Sequence, residues 1–398
     1  MSAARALAGS LPFAGLRVVE LCDTPAGEQL GKLVADLGGE VVKVEPPGGV
    51  ASRRHGPFRT GPDGVPTEES LAFVAYNSSK RSVVLDDGEA GRALRDRLVA
   101  GADVLLTTGS PRELAAAGLD LDALVEQHER LVVVSTSPFG LTGPWKDYLT
   151  SDLVGLAAGG PLASCGYDDH SIPPILPGGG QAFQTAASFG YCGLLLALIE
   201  REQSGRGQLV DVSMHEANAV SGELANPYWF YPKAIVQRQT CRHAQPVPTQ
   251  PALFQCADDV WVYFALILAE QRSWKALVAW MDEVGLADDL GDPAYDDLAH
   301  RQANFPHVQE MLDVFFMLQT SEDAYSEGQR RGLPIGPLRA FEDLPHDEHL
   351  VARSFFVDVA DDDGTVTTLP GLPYRFSAFA AEPGPAPRLG ADQGLVTA

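Results

Sequence analysis

Positive charge is scarce in this chain. Lys plus Arg number 29 against 53 Asp plus Glu, a formal charge of −24 over 398 residues. That balance repels nucleic acid and anionic membrane, since either partner requires a net positive face. An anionic small molecule is not excluded, but it must meet a locally basic pocket. Cysteine is scarce as well: Cys22, Cys165, Cys192, Cys241 and Cys256 are scattered, with no CxxC pair and no Cys/His spacing suited to zinc. An odd, dispersed set fits a reducing compartment, so a cytoplasmic location is expected and no metal. Long hydrophobic runs are missing too. The most apolar one, FGYCGLLLALIE (189–200), is shorter than the ~20 residues a spanning helix needs, and the Ala-rich lead MSAARALAGS lacks a signal-peptide core and cleavage site.

Several catalytic fingerprints are also absent. The chain has neither GxGxxG nor the GK[ST] of a P-loop, no HExxH helix and no GxSxG elbow, which removes the nicotinamide, zinc-hydrolase and serine-hydrolase readings at this level. The run Gly178–Gly179–Gly180–Gln181 precedes a helical stretch, but its simplest role is a helix start that needs positive φ. His215, in VSMHEA, reads equally well as a packed or a surface residue.

What is present is a regular alternation. Hydrophobic residues make up 45% and charged residues 21%, the balance of a folded protein, and the length calls for two domains. LRVVEL (16–21) reads as strand; Leu30, Leu33, Val34 and Leu37 recur at helical spacing; EVVKVEPP (40–47) is strand again, closed by prolines. Strand, helix, strand within about 30 residues is a βαβ unit and implies a parallel sheet. SVVLD (82–86), DVLLTT (103–108), LVVVSTS (131–137) and QLVDVSM (208–214) continue the strands, with helical patterns between them and a long apolar helix over 182–203. The expected fold is α/β: a doubly wound, Rossmann-like large domain over residues 1–218, then a smaller α+β domain over 219–338. In that second part VWVYFALI (260–267) reads as strand, followed by helical stretches through 270–330. Residues 339–398 carry a hairpin signal at DDDG, then Pro-rich coil.

Cations matter in so acidic a chain. Lys43 ends a strand, Arg53 and Arg54 follow the PPGG turn, and Lys80 and Arg81 stand just before another strand. Strand ends of a doubly wound sheet are where ligands bind, and a group of cations there suits a polyanion such as the phosphates of coenzyme A. One acidic residue also stands out. Asp152 heads the small, apolar run LVGLAAGG, where a carboxylate serves either as a helix cap or in chemistry.

The ordered blocks LRVVEL…EVVKVEPPGG, RRHGPF, YNSSKRSVVLD, FGLTGPWKDYLTSDLVGLAAGG and LLLALIEREQSGRGQLVDVSMHEA resemble the class III CoA-transferases, the family of formyl-CoA and carnitine CoA-transferases and the bile-acid-inducible F protein. A weaker likeness follows at DLPHDEHLVARSFFVDV (343–359) and APRLG (386–390). The resemblance implies nucleophilic catalysis by Asp152: attack on an acyl-CoA thioester, a mixed anhydride, then an aspartyl-CoA thioester that passes CoA to a carboxylic acid acceptor. It implies that Lys43, Arg54, Asn77, Lys80 and Arg81 lie near the CoA phosphates or adenine, and Ala26, Thr108 and Gly109 along the pantetheine. It also implies an interlocked homodimer, with residues 339–398 returning to the large domain. Pro25, Thr108 and Gly109 depart from the formyl-CoA transferase pattern, and the loop 241–251 has no glycine, which argues against formyl-CoA or oxalate as substrate. Two alternatives share the fold. A 2-methylacyl-CoA racemase needs two bases, yet Ser151 stands where racemases have His and residues 131–144 hold no His, Asp or Glu. A CoA-binding protein without turnover is the other. The aromatics of NPYWFYP (226–232) suit either an acyl pocket or packing at a domain junction.

Overall fold

The computed structural model describes residues 10–61, 63–222, 225–265, 270–361 and 363–397. Most of the Ala-rich lead and residues 266–267 of the strand expected over 260–267 lie outside them. The chain divides into two compact units, Met1–Pro161 with Pro177–Glu223 and Asp347–Ala398, and Leu162–Leu176 with Leu224–His346. The segment 162–176, which the sequence places in the large domain, clusters with the second unit.

The first unit is built on β1 (Arg17–Leu21), β2 (Glu40–Glu45), β3 (Arg81–Val84), β4 (Val104–Thr108), β5 (Val132–Ser137) and β6 (Leu209–Ser213). They pair in parallel in the order β3-β2-β1-β4-β5-β6. This is the doubly wound arrangement, with its switch point between β1 and β4. Strand side chains alternate between faces, so Val18, Leu106 and Val134 pack against α1 (Pro25–Ala35) and α6 (Gln181–Ser204), while Val19, Leu105 and Val133 form the core of the opposite face. On that second face lie α2 (Glu89–Ala100), α3 (Pro111–Ala116) and α4 (Leu121–Gln127). Two short helices, α5 (Asp152–Gly159) and α7 (Met214–Val220), pack on each other and on α6.

Helix α6 is longer than the apolar run that marks it. With 24 residues it has the length and composition of a membrane span, but a small-residue stripe, Ala182, Ala186, Ala187 and Gly190, is buried in the unit. Gly179 (φ 87°) and Gly180 (φ 67°) supply the left-handed backbone at its start, the role expected of that glycine run. Another close approach explains the SGRGQ motif. A Cβ on Gly207 would lie 2.0 Å from the Leu131 carbonyl oxygen, so only glycine lets this loop pass beside β5.

The outer edge of the sheet is closed by residues distant in sequence. Asp392 accepts from the Ser82 N–H at 2.9 Å, and Gln393 bonds both the N–H (2.9 Å) and the carbonyl (3.0 Å) of Val84. Val396 then joins Val83 and Leu85 in a small core. A covered edge cannot recruit stray strands. The hairpin Phe356–Ala360/Val366–Pro370 belongs to the same unit.

The second unit holds a three-stranded antiparallel sheet, β7 (Leu253–Gln255), β8 (Trp261–Phe264) and β9 (Ile335–Pro337). Helices α8 (Gln271–Glu283), α9 (Phe305–Met317) and α10 (Ser321–Arg330) accompany it, around an aromatic core of Phe254, Phe264, Trp274, Trp280, Phe315 and Phe316.

Candidate active site

The carboxyl ends of the first unit's strands frame a cavity of about 660 Å³, within the range of small-molecule and cofactor sites. Its floor lies at the switch point: Leu21–Thr24 and Ala26 from β1 and α1, and Thr108–Gly109 after β4. Pro25 takes the first turn of α1, where its missing N–H costs nothing, and Thr24 caps the helix with no side-chain hydrogen bond. The helix therefore presents its positive end with bare N–H groups beside the cavity. Gly27 permits this packing, since a Cβ there would come within 2.5 Å of Cys22 Sγ and Thr108 Cγ2.

One end of the cavity is charged. Arg54, Arg92 and Arg95 line it, together with Asp86 and Asp87. Arg95 is committed to the Ala117 and Gly118 carbonyls and to Asp96. Arg54 donates from Nη1 to the Gly48 (2.8 Å) and Gly49 (3.0 Å) carbonyls, while the side chain of exposed Arg92 makes no hydrogen bond or ion pair among the described residues. Glu45 lies underneath, taking two hydrogen bonds of 2.7 Å from Arg53 and one of 2.6 Å from Ser82. Burial pushes the Glu45 carboxyl up, but Arg53, Ser82 and the Val50 N–H outweigh it and hold it below the usual carboxylate range. Its folded-state pKa lies below the unfolded one, so its contribution to stability is full above the ordinary carboxylate range and fades as pH falls through the depressed value. Glu45→Gln is therefore expected to flatten the acid limb of a pH–stability curve measured by urea unfolding. An unchanged limb would refute the assignment.

The other end is uncharged. Thr136, Ser137 and Pro138 at the end of β5, Thr150, Phe183 and Met214 line it, with Tyr148 and Leu149 at its mouth. Thr108 donates to Asp23 Oδ1 at 3.0 Å and accepts from the Asp23 N–H at 3.2 Å. His215 is packed rather than exposed: its ring lies 5.5 Å from Phe139 and 5.6 Å from Trp145.

Asp152 stands at the head of α5, but it is not the cap. Ser151 caps the helix, its Oγ accepting from Val154 N at 3.2 Å. The half-buried Asp152 carboxylate accepts from the Ala182 N–H at 2.8 Å, tying α5 to the first turn of α6. Thr150 and Phe183, which flank this tie in sequence, line the cavity; Asp152 is not among its lining residues.

The sequence-expected ligand set divides. Ala26, Arg54, Thr108 and Gly109 line the cavity. Lys43, Asn77 and Lys80, expected near the CoA phosphates or adenine, are not among its lining residues. Lys43 Nζ lies 2.8 Å from Glu20 Oε1, 3.0 Å from Glu28 Oε1 and 2.9 Å from the Cys22 carbonyl, with both charged partners fully buried. Lys80 Nζ pairs with Glu20 Oε2 at 2.7 Å and donates to Asn77 Oδ1 and the Glu28 carbonyl. Every donor is consumed by a buried network beneath α1. Arg81 is not a lining residue either: it begins β3, at the amino edge of the sheet, where it pairs with Glu40 at 2.8 Å. The cavity contains no aromatic residue from 226–232. Sequence reading missed Arg92, Thr136 and Ser137; a buried strand that ends in three hydroxyl residues was the available signal.

The first unit is thus a doubly wound α/β sheet with a cavity at its switch point, lined by charges of both signs at one end and by uncharged residues at the other, the place where open α/β sheets bind ligands. The chain belongs to CoA-transferase family III, whose profile it matches over residues 13–393. It is 31% identical over 385 residues to the succinyl-CoA:(R)-benzylsuccinate CoA-transferase subunit BbsE of Thauera aromatica, covering 95% of this chain and 92% of that one. It is 28% identical over 391 residues to the succinyl-CoA–L-malate CoA-transferase alpha subunit of Chloroflexus aurantiacus, covering 97% and 87%. Among solved structures, a CaiB/BaiF family protein from Brucella suis superposes with a TM-score of 0.82 at 25% identity, covering 98% and 99%.

Proposed function

We propose that this chain transfers CoA from an acyl-CoA thioester to a carboxylic acid, with Asp152 as the carboxylate that carries first the acyl group and then CoA. The cavity supports this reading, because its arginine-bearing end and its uncharged end suit the two halves of an acyl-CoA. One Asp152 oxygen is oriented by Ala182 N–H, and Oδ2 is left to attack. Attack at the thioester carbonyl forms an acyl–Asp152 anhydride and expels the CoA thiolate. The thiolate attacks the Asp152 carbonyl of that anhydride, releasing the donor acid and leaving the aspartyl-CoA thioester. The acceptor carboxylate then reverses both steps. Because carboxylates are weak nucleophiles, orientation and exclusion of water supply much of the rate. The first-turn N–H groups of α1 are the proposed oxyanion donors. Exposed Phe189, Leu196 and Ile199 on α6 support assembly with a second chain, by this reading another copy in an interlocked dimer.

A second reading is favoured by the absence of Asp152 from the cavity lining. Here a different family member supplies the nucleophile and this chain supplies a CoA pocket, in line with relatives that are named as subunits. Intact-protein mass spectrometry after mixing with acetyl-CoA or succinyl-CoA and trapping with hydroxylamine separates the two. A hydroxamate mapped to Asp152 supports the first. CoA binding without any adduct on this chain refutes it and leaves the second. Exchange of α-protons in deuterated water, again without an adduct, would instead indicate racemase chemistry.

A further inference from the structure

The uncharged end of the cavity lies beside Asp152. Thr150, two residues before Asp152, lines that end, and so does Phe183, next to the Ala182 whose N–H the carboxylate accepts. Met214 lines it as well and packs on the following turn of α5, where a Cβ on Gly155 would lie 2.9 Å from its Cε. The remaining large side chains there are Tyr148 and Leu149, 56% and 79% exposed. Trp145 stacks on Tyr148 at 6.2 Å and Phe139 meets it edge-on at 6.1 Å, so this apolar wall is already in place. No Lys, Arg or His lines this end; the cavity's cations, Arg54, Arg92 and Arg95, all belong to the other. We infer that the acyl group handled here is apolar, an alkyl or aryl chain of several carbons, and carries no second carboxylate. This rests on the transferase reading above and adds the class of acid to it.

In that reading the thioester carbonyl comes to Asp152, so the rest of the acyl chain lies among the residues around it. Each methylene fully removed from water strengthens binding roughly fourfold. A distal carboxylate would lose hydration against Tyr148 and Leu149 and find no cation in return. The exposed wall is also continuous with the cavity through Thr150, Phe183 and Met214, which favours the ligand itself over a second chain as what covers it.

The test is calorimetric titration with acetyl-CoA, hexanoyl-CoA and succinyl-CoA, carried out on Asp152→Asn so that no acyl adduct forms on that residue. Hexanoyl-CoA is expected to bind roughly tenfold or more tightly than acetyl-CoA, and succinyl-CoA no more tightly than acetyl-CoA. Leu149→Arg in the same background should cut the hexanoyl preference at least about threefold and raise the succinyl-to-acetyl ratio about two- to fivefold, the scale of an exposed ion pair. Both ratios are taken against acetyl-CoA, so a general loss of folding or of CoA affinity leaves them unmoved. Equal affinity for acetyl-CoA and hexanoyl-CoA, tightest binding of succinyl-CoA, or ratios that Leu149→Arg does not change overturn the assignment while leaving the CoA reading intact. A drop to a smaller species in sedimentation velocity of Leu149→Arg would also overturn it, by giving this wall to a second copy of the chain. Failure of the wild-type protein to bind CoA itself removes the transferase reading, and this assignment with it.

Discussion

Lys43→Met is expected to lower folding stability by roughly 3–5 kcal/mol, the penalty for leaving buried charge unpaired. In the folded chain Lys43 and Lys80 face Glu20 and Glu28, with all four side chains fully buried. Burial pulls the Lys43 pKa down, but Glu20 and Glu28 reverse this and hold it well above its ordinary value. Removing one cation leaves two carboxylates for Lys80 alone and frees the Cys22 carbonyl. Total stability of a domain is typically about 5–15 kcal/mol, so a large share is at stake. The damage should also reach the site, since Cys22 and the start of α1 line the cavity. Urea unfolding followed by circular dichroism reads the change. Lys43→Met/Glu28→Leu, which removes one charge of each sign, should recover part of the loss. A single variant as stable as wild type would show that these charges are not holding one another in place.

For Asp152→Asn, the expected outcome is a fall in CoA transfer of at least about 10³-fold with CoA binding retained. An amide keeps the shape of the side chain and an oxygen to accept from Ala182 N–H, so α5 and α6 stay joined. What it loses is the anionic oxygen proposed to attack the thioester. Asp152→Ala should be as inactive and less stable by about 1 kcal/mol, because the tie is gone. The pair separates chemistry from scaffolding. Transfer at full rate in Asp152→Asn would place the nucleophile elsewhere and favour a partner chain as its source.

The parallel sheet was legible because its strands are short apolar runs spaced by helical patterns, and six of them occur at the expected positions. The cavity lining was legible only where backbone position decides it. Ala26, Arg54, Thr108 and Gly109 follow strand ends or the turns after them, and the fold carries them to the cavity. Lys43, Asn77 and Lys80 also stand close to strand ends, but whether a lysine faces a ligand or a buried glutamate depends on its pairing partner. Glu20 and Glu28 come from β1 and α1, and no local pattern announces that they converge on two lysines. Asp152 shows the same limit. Its place at the head of a helix is clear in the sequence, yet the cap falls to Ser151 and its carboxylate meets a helix 30 residues further on.

The closure of β3 by residues near Gln393 has a consequence for how the chain is made. Gln393 and the Val84 N–H it bonds are 309 residues apart. At bacterial-type synthesis rates of ~5–20 residues per second, about 15–60 s pass between the two leaving the ribosome. Through that interval the outer strand has emerged with its N–H and carbonyl row uncovered, and the whole second unit is being synthesised. The large unit therefore finishes last, although its first strand is translated first. Slow closure of such a long loop exposes the nascent edge to neighbouring nascent chains, so yield should depend on synthesis rate and temperature more than the stability of the finished protein would indicate.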